Sequence, residues 1–492
     1  MKRKIVLYIA ILAIIVGGAP YLTGMLVETK FQDVVKVLSD VDSAPITIKL
    51  TDYQRGWRKS YAKTKVTIYA ANQEYNLMLE HEIRHGPFVQ LHDQDYKDWD
   101  FARALIHSKI LLNENAQKIL ATELGQTEIL NINSKMAIDG AVQIKVYGKE
   151  LKLKEHDGTS RIAWKGVTGE WNLSSDLRHL KGQIAMPGFD IDLNGAHYLA
   201  EDLNYTTELS QTAQGLWPGK FLGTLNKLTI ENQADHSVLN LEGMTAGGMM
   251  SVQGAMADFS GDLRIEKALV NGKQYGPIDY TNTLKHIDSE VLRAFFILSQ
   301  KKKAPHDANL KKMMNLLPEL LKSRPEFSIE ELQIHTNEGD VKGTLHFAIG
   351  GIEANDIKNF PQIIQSIVAK GNLLLPKLIL RDMLTYQYTQ NAQTANEIAK
   401  RAATLASSLP PTQDVQQLPK VLTDQEIAQL VNQKVNESIT KWLKEGSIIE
   451  KDQNYISEVT FENGKFSVNG HPMDVGQQLP MPTGSMPPPG VQ

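Results

Sequence analysis

The chain has 492 residues, with 52 basic and 56 acidic side chains and a formal net charge of −4. This balance offers no basic face for nucleic acid, so no nucleic-acid partner is expected. The absence of cysteine excludes disulfides, thiolate-bound zinc, iron–sulfur clusters and cysteine nucleophiles.

The N-terminus has the pattern of a membrane anchor. Lys2, Arg3 and Lys4 precede an uncharged segment from Ile5 to Val27. As a helix, these 23 residues would be about 35 Å long, which is enough to cross a bilayer core of about 30 Å with some tilt. The basic residues favour a cytoplasmic N-terminus. We therefore expect residues 1–27 to form a transmembrane signal anchor, with the remaining chain beyond the membrane.

A cleaved signal peptide is the alternative interpretation. Gly17, Gly18 and Ala19 are small enough for a cleavage site, but Pro20 would follow the cut bond and hinder processing. Apolar residues also continue as far as Leu26. We favour a retained anchor, and we expect a single span because no later segment has 18 uncharged apolar residues.

Residues 28–350 are predicted to be a β-rich body. Apolar and polar residues alternate in many short segments, which is typical of antiparallel strands with one buried face. Asp139-Gly140 and Asn271-Gly272 favour tight turns. His85-Gly86-Pro87 and Tyr275-Gly276-Pro277 each end an extended segment shortly before a helix, which suggests two related units. The predicted strands include residues 46–50, 66–68, 75–79, 142–146, 189–193, 263–265 and 345–349.

Helices are expected within this body and through most of residues 351–475. Asp100 is suited to cap a helix over 101–124, and two shorter helices are expected in 289–322. Thr423 and Glu426 have the spacing of a capping box for a helix over 424–445. The apolar stripe of that helix, from Ile427 to Leu443, is a candidate surface for a homodimer.

The C-terminal end is predicted to be a hairpin followed by a tail. Asn463-Gly464 indicates a tight turn between two short strands. Residues 407–420 have the composition of a linker, and residues 476–492 that of a disordered Pro-rich tail. The expected fold class is therefore α+β: one N-terminal transmembrane helix, then an extended antiparallel β-sheet body with accessory helices.

One motif has catalytic potential, because His81-Glu82-Ile83-Arg84-His85 matches H-E-x-x-H. In zinc proteases this motif lies on a helix, so that both histidines bind one metal ion and the glutamate activates a water molecule. Here the alternation from Tyr75 to Ile83 indicates a strand, on which His81 and His85 would lie roughly 13 Å apart. A zinc-dependent hydrolase using His81, Glu82 and His85 is kept as the alternative function.

Other chemistry is not indicated. Asp93, Asp95, Asp98 and Asp100 lack the glycine and the terminal glutamate of an EF-hand loop, so a solvated loop is expected there. The sequence has no phosphate-binding glycine loop and no Gly-x-Ser-x-Gly elbow. We assign no catalytic residue, no cofactor and no metal site, and we do not expect an enzyme.

Several short segments together resemble a known family. Their order and spacing over nearly the whole chain are similar to those of the YdgA-like bacterial envelope proteins. The resemblance implies a single-span inner-membrane protein with a periplasmic body and no established catalytic residues. The segments are Tyr53-Gln54-Arg55-Gly56-Trp57-Arg58-Lys59-Ser60, His85-Gly86-Pro87, Tyr275-Gly276-Pro277-Ile278-Asp279 and Phe466-Ser467-Val468-Asn469-Gly470.

The first of these segments has a physical interpretation. Gly56 permits close backbone approach, Trp57 is expected to bury a large area, and Arg55 is able to stack or pair beside it. A structural staple near the membrane is expected, with a partner-binding patch as the alternative.

The leading functional prediction is a non-enzymatic, membrane-tethered periplasmic protein that acts in envelope maintenance by binding a lipid or another envelope protein. The one-sided apolar strands suit a closed core and an open lipid-binding groove equally well.

Overall fold

A computed structural model describes residues 2–39, 46–70, 73–89, 100–112, 114, 117–118, 121–122, 128–154, 160–193, 195–232, 237–300, 315–316, 318–350, 360–407 and 420–473. The fold is mostly antiparallel sheet with a few helices, as the α+β prediction requires. The chain forms two compact units, residues 1–277 with 283–323 and residues 278–282 with 324–492. The predicted linker and tail lie largely or wholly outside the described residues.

The helices and strands have the following bounds. The helices are α1 (Lys2–Ser39), α2 (Ser289–Gln300), α3 (Phe360–Ser366), α4 (Lys377–Ser407) and α5 (Asp424–Lys444). The strands of the first half are β1 (Ile46–Arg55), β2 (Lys59–Ala70), β3 (Gln73–His85), β4 (Phe88–Val89), β5 (Asp100–Phe101), β6 (Ala104–Ile110), β7 (Leu130–Met136), β8 (Val142–Gly148), β9 (Leu151–Lys154), β10 (Arg161–Trp164), β11 (Val167–Leu173) and β12 (His179–Leu193). The remaining strands are β13 (Ala196–Ser210), β14 (Gly219–Asn232), β15 (Ser237–Gln253), β16 (Met256–Val270), β17 (Lys273–Asp288), β18 (Glu326–Thr336), β19 (Gly339–Ile349), β20 (Ile367–Pro376), β21 (Ile449–Lys451), β22 (Asn454–Glu462), β23 (Lys465–Val468) and β24 (His471–Met473).

The first unit contains a long antiparallel meander. Hydrogen-bonded neighbours follow the order β1–β2–β3–β6–β7–β8–β11–β12–β13–β14–β15–β16. The β9–β10 hairpin is attached to β12 through β10. Gly140, Asn271 and Gly272 have positive φ in the predicted tight turns, which confirms those turns.

Helix α1 packs along the first strands of this sheet. Its apolar residues Val27, Phe31, Val34 and Val35 recur at helical spacing and are at most 8% exposed. The helix therefore continues twelve residues beyond the predicted end of the anchor at Val27. The sheet residues buried in the same cluster include Ala62, Ile83, Ala104, Ile106, Met136 and Val142.

No helix among the described residues is both long enough and apolar enough to cross a membrane. The anchor at residues 1–27 stays a prediction.

The helix predicted over 101–124 is wrong for its first half. Residues 104–110 form strand β6, which pairs with β3 on one side and β7 on the other. Ala104, Leu105 and Ile106 are all buried, so the two faces of this central strand are both covered. In a short segment with apolar residues on both faces, apolar and polar residues do not alternate. The sequence pattern therefore does not distinguish a strand from a helix, and pairing with the neighbouring strands determines the conformation. Asp100 pairs with Lys135 at 2.7 Å instead of capping a helix.

The second unit pairs strands in the order β18–β19–β20–β22–β23–β24, with β21 also on β22. Strand β20 lies within the region predicted to be mainly helical. The capping box of Thr423 and Glu426 is present at the start of α5. The hairpin around Asn463-Gly464 pairs Phe461 with Phe466, as predicted.

Helices α4 and α5 are joined by polar contacts. Tyr388 Oη lies 2.7 Å from Ser438 Oγ, and Arg381 Nη1 donates to Asn436 Oδ1 at 2.9 Å. Three residues of the predicted dimer stripe, Ile427, Val431 and Val435, are buried within the chain. A homodimer remains a prediction, and Leu430 of the same stripe is 38% exposed.

A buried asparagine fixes the chain at the start of α5, which gives a stability prediction. Asn396 donates to Leu422 O at 2.9 Å and accepts from Leu422 N at 2.7 Å, with 6% of its surface exposed. Asn396→Ala leaves both backbone groups unpaired, and we expect it to destabilise the second unit by about 2 kcal/mol. Thermal and urea unfolding of the full chain measure this loss. The matched control is Asn391→Ala, at an exposed position of the same helix. If the two variants were equally stable, the hydrogen bonds of Asn396 to Leu422 would not stabilise the second unit as we infer.

Candidate functional site

The H-E-x-x-H residues lie on strand β3, not on a helix. His81 and His85 face the side of the sheet that α1 covers, and both are buried at 6% and 4% exposure. Glu82 faces the other side, where it pairs with Lys59 at 2.9 Å and Arg84 at 2.8 Å. Burial alone would raise the pKa of Glu82, but the hydrogen bonds from Lys59 and Arg84 lower it. The structure does not bring the three predicted zinc residues together, because neighbouring residues of a strand point to opposite faces.

His81 is held between two hydroxyl groups. Its Nε2 lies 2.8 Å from Thr64 Oγ1, and its Nδ1 lies 2.7 Å from Ser108 Oγ. One hydroxyl must donate to the neutral ring while the other accepts from it. The edge of Phe31 contacts the ring with a centroid distance of 5.3 Å. Burial lowers the pKa of His81 to about 4, so the ring is neutral at pH 7.

His85 joins the β1–β2 turn to helix α1. Its Nδ1 lies 3.3 Å from Trp57 O, which can only accept, and its Nε2 lies 2.8 Å from Ser60 Oγ, which therefore donates. Gly24 leaves room for the ring, since a Cβ atom there would lie 2.6 Å from His85 Cε1. Burial lowers the pKa of His85 as well. Both histidines thus act as neutral packing groups between sheet and helix.

The family-motif residues form the junction between the β1–β2 turn and α1. Arg55 pairs with Glu28 at 3.2 Å and lies over the ring of Tyr21, with Cζ 5.6 Å from the ring centroid. A Cβ atom at Gly56 would lie 2.3 Å from Lys59 O, so the predicted close backbone approach is present. The expected burial of Trp57 is wrong, because 60% of its side chain is exposed.

The other motif residues continue this junction. Tyr53 packs against Phe31 with ring centroids 6.1 Å apart, and burial raises its pKa. The Gly86–Pro87 peptide bond is cis, and Gly86 O accepts a 3.0 Å hydrogen bond from Thr23 of α1. The backbone of residues 86–87 also bonds to residues 102–103.

A polar cluster that the sequence analysis missed lies on β10, β12 and β13. Asp190, Asp192 and His197 place ligand atoms within 4.8 Å of one another. However, Arg161 donates to both carboxylates at 2.8 Å, and His197 Nδ1 lies 2.8 Å from Asp192. These hydrogen bonds, first from His197 and then from Arg161, lower the pKa of Asp192. Because Arg161 supplies positive charge to both carboxylates, the cluster forms an ion-pair network.

The core under α1 continues into a much wider apolar face. Directly paired residues of antiparallel strands project to the same side, so the register defines rows across the sheet. One row begins at His81 and Ser108 under α1 and ends at Tyr205, Gly223 and Leu263. The full row is His81, Ser108, Ile132, Val146, Gly169, Ile184, Tyr205, Gly223, Ala246 and Leu263. Three parallel rows have the same apolar character. They end in Leu180, Leu209, Gly219, Met250 and Phe259; in Gly182, Thr207, Phe221, Gly248 and Gly261; and in Met186, Leu203, Leu225, Met244 and Ile265.

We call the part of these rows on β12–β16 the open face. Ile83, Ile106 and Met136 under α1 are at most 4% exposed, whereas Tyr205 and Phe221 on the open face are 37% and 45% exposed. The rings of Tyr205 and Phe221 stack with centroids 6.4 Å apart. Most other apolar residues of the open face are half-buried. Within the described residues of the first unit, Trp217 of the β13–β14 connection is buried beside Leu180 and Leu209 at one end of this face, whereas Tyr205 and Phe221 stay exposed.

Glycines in the rows let aromatic rings lie flat on the open face. A Cβ atom at Gly182 would lie 2.0 Å from Trp171 Cδ1, and one at Gly248 would lie 2.5 Å from Phe221 Cε1. The alternate positions of the same strands are mainly polar, and they include Lys181, Gln183, Thr206, Glu208, Lys220, Ser260 and Asp262. The opposite face is therefore mainly polar, with Leu222 and Met249 as exposed apolar residues.

The depressed pKa of His81 predicts a pH-dependent stability. The folded state keeps His81 neutral down to about pH 4, whereas the unfolded chain protonates near its ordinary value of 6.5. Above pH 6.5 the protonation of His81 therefore does not lower the free energy of unfolding, which decreases as the pH falls from 6.5 towards 4. At about 1.4 kcal/mol for each pKa unit, the loss reaches about 3 kcal/mol.

Thermal unfolding of the full chain between pH 7.5 and 4.5 measures this effect. We expect His81→Met to have a shallower decline of the unfolding midpoint than the unmodified chain. The control is His179→Met, an exposed histidine on β12. A decline that is the same in the His81 variant and the unmodified chain would contradict the buried neutral ring.

One family of proteins matches the chain. Its model, described as a bacterial protein of unknown function (DUF945), covers residues 1–476. No curated protein matches the chain, and no solved structure matches it. The match agrees with the resemblance to the YdgA-like proteins and extends over nearly all of the sequence. The chain therefore belongs to the bacterial family of unknown function DUF945.

Proposed function

We propose that the protein is a membrane-anchored envelope protein whose open face binds the acyl chains of lipids. The observation that carries this proposal is the exposure of Tyr205 and Phe221 on an apolar face that continues from the core without interruption. Monomeric soluble proteins rarely leave large contiguous apolar patches uncovered, and such patches mark sites for apolar ligands or partners.

The chemistry of the open face suits a hydrocarbon chain. The strands β13–β15 are paired on both sides, so their backbone groups already have partners and an added strand finds no free edge there. Five strands at about 4.8 Å spacing make a surface about 19 Å across. Each methylene group of an acyl chain that is buried there contributes about 0.8 kcal/mol. A ligand that needs no hydrogen bonds matches this surface best.

The anchor supports a lipid ligand over a protein ligand. Three basic residues and an uncharged helix beginning at Ile5 favour insertion with the N-terminus in the cytoplasm and the two units in the periplasm. A tethered binding surface meets membrane lipid at a high effective concentration, so even modest affinity gives occupancy. The predicted location at the bacterial inner membrane and the role in envelope maintenance belong to this proposal.

Two adjacent residues of β14 provide a matched test. Phe221 and Leu222 are both 45% exposed, but Phe221 lies on the open face and Leu222 on the opposite face. A photo-reactive benzoylphenylalanine is placed at either position of the full chain and irradiated in intact cells before extraction. We expect phospholipid adducts, identified by mass spectrometry, at residue 221 and only background at residue 222.

The same experiment has a second variant. Leu225→Asp places a charge on the open face, and we expect it to abolish the adduct at residue 221 while the thermal unfolding midpoint identifies any loss of folding. Equal adduct yields at residues 221 and 222, or protein adducts alone at residue 221, would contradict lipid binding by the open face.

A further inference from the structure

The part of α1 that precedes its described contacts with the sheet is short for a membrane span. Described contacts with the sheet include Tyr21, whose ring centroid lies 5.6 Å from Arg55 Cζ, Thr23, which donates to Gly86 O, and Gly24, which lies against the His85 ring. Val27 is fully buried. Only Ile5 to Pro20 is left to cross the bilayer, and these sixteen residues make a helix of about 24 Å. A bilayer core of about 30 Å exceeds this length by about 6 Å.

Exposed apolar side chains surround the point where this helix meets the sheet. Leu22 is 62% exposed, Trp57 60%, Phe88 65% and Phe101 59%. Tyr21 and Ile138 are also exposed beside them. We call the six residues Tyr21, Leu22, Trp57, Phe88, Phe101 and Ile138 the rim.

Backbone and side-chain hydrogen bonds hold the rim together. Trp57 O contacts the His85 ring, and the adjacent Gly86 N donates to Arg103 O at 2.7 Å. Arg103 Nη2 in turn donates to Ile138 O at 2.6 Å. The rings of Phe88 and Phe101 lie 5.4 Å apart. The exposed side chains therefore share one fixed end of the first unit.

We propose that the rim lies in the bilayer interface and supplies the apolar depth that the short segment of α1 before these contacts lacks. This inference rests on the membrane anchorage in the proposed function. Aromatic side chains with one polar end, such as Trp57 and Tyr21, favour the headgroup region, while Phe and Leu side chains reach deeper. A span shorter than the bilayer draws its flanking residues inwards or thins the membrane locally. The rim is already exposed and apolar, so it enters the interface without rearrangement.

The absence of cysteine allows a direct depth measurement. Single cysteines replace Trp57, Phe88, Ala13 or Leu193 in the full chain and carry an environment-sensitive nitrobenzoxadiazole label. The proteins are reconstituted in vesicles of phosphatidylethanolamine and phosphatidylglycerol that contain spin-labelled phospholipid. Leu193 is the control, because it is an apolar residue of the same unit, 44% exposed. It lies at the last residue of β12, the opposite end of that strand from Leu180, which pairs with Leu173. Ala13 reports on the anchor itself.

We expect labels at residues 57 and 88 to be quenched by spin labels near the headgroups and to emit at shorter wavelength than the label at residue 193. The label at residue 13 should be quenched by spin labels deep in the acyl region. The label at residue 13 could be quenched while the labels at residues 57 and 88 are as exposed to water as the label at residue 193. This result would contradict the rim proposal and support the membrane anchor. Absence of quenching at residue 13 overturns the anchorage, and the rim proposal with it. Thermal unfolding of each labelled protein confirms that the exposed substitutions leave the fold intact.

Discussion

The packing of α1 against one end of a long antiparallel sheet is the interaction on which the rest of the structure depends. Val27 and Phe31 bury their side chains over β1, β2, β3 and β6, and each such burial contributes roughly 1.5–3 kcal/mol. Lys30 of the helix also donates to Ser175 O in the β11–β12 turn at 2.6 Å, and the apolar rows continue beyond it to β16. The same helix leads back into the uncharged N-terminal segment. Helix α1 thus covers part of the apolar face of the sheet. It also connects the first unit to the proposed membrane anchor.

The buried histidines explain how a polar motif serves an apolar interface. His81 and His85 satisfy both ring nitrogens through hydroxyl and carbonyl groups of neighbouring strands, so neither carries an unpaired polar atom into the core. The row that starts at Ala104, beside the rim, passes through Met136 and Leu173 to Leu180 on β12. A buried row of the core therefore connects the proposed bilayer contact with the proposed lipid-binding face.

The local sequence predicts much of the fold. Alternation at 46–50 and 142–146 and the Asn463-Gly464 turn predict strands and a hairpin that the structure contains, because side-chain period and turn chemistry are local properties. It fails at 104–110, where burial on both faces removes the period of two. The local sequence also predicts a buried Trp57, because an indole side chain is usually buried. In the structure, the side chain lies on a turn at the surface and is 60% exposed.

The site is less predictable from the sequence than the fold. The strand pattern correctly predicts that His81 and His85 lie on a strand and not on a helix. The open face depends on which residues pair across twelve strands and on how far α1 extends. Both follow from long-range packing, and neither Phe221 nor Met250 carries a local signal that distinguishes an open face from a closed core. The ion pairs of Arg161 with Asp190 and Asp192 likewise depend on register alone.

Electron cryo-microscopy of the full chain, extracted with its native lipids in membrane nanodiscs, tests the central claim most directly. The account predicts elongated acyl-chain density along Phe221, Met244 and Met250 on the open face. A second protein layer over those residues, from this chain or from another copy, would contradict it.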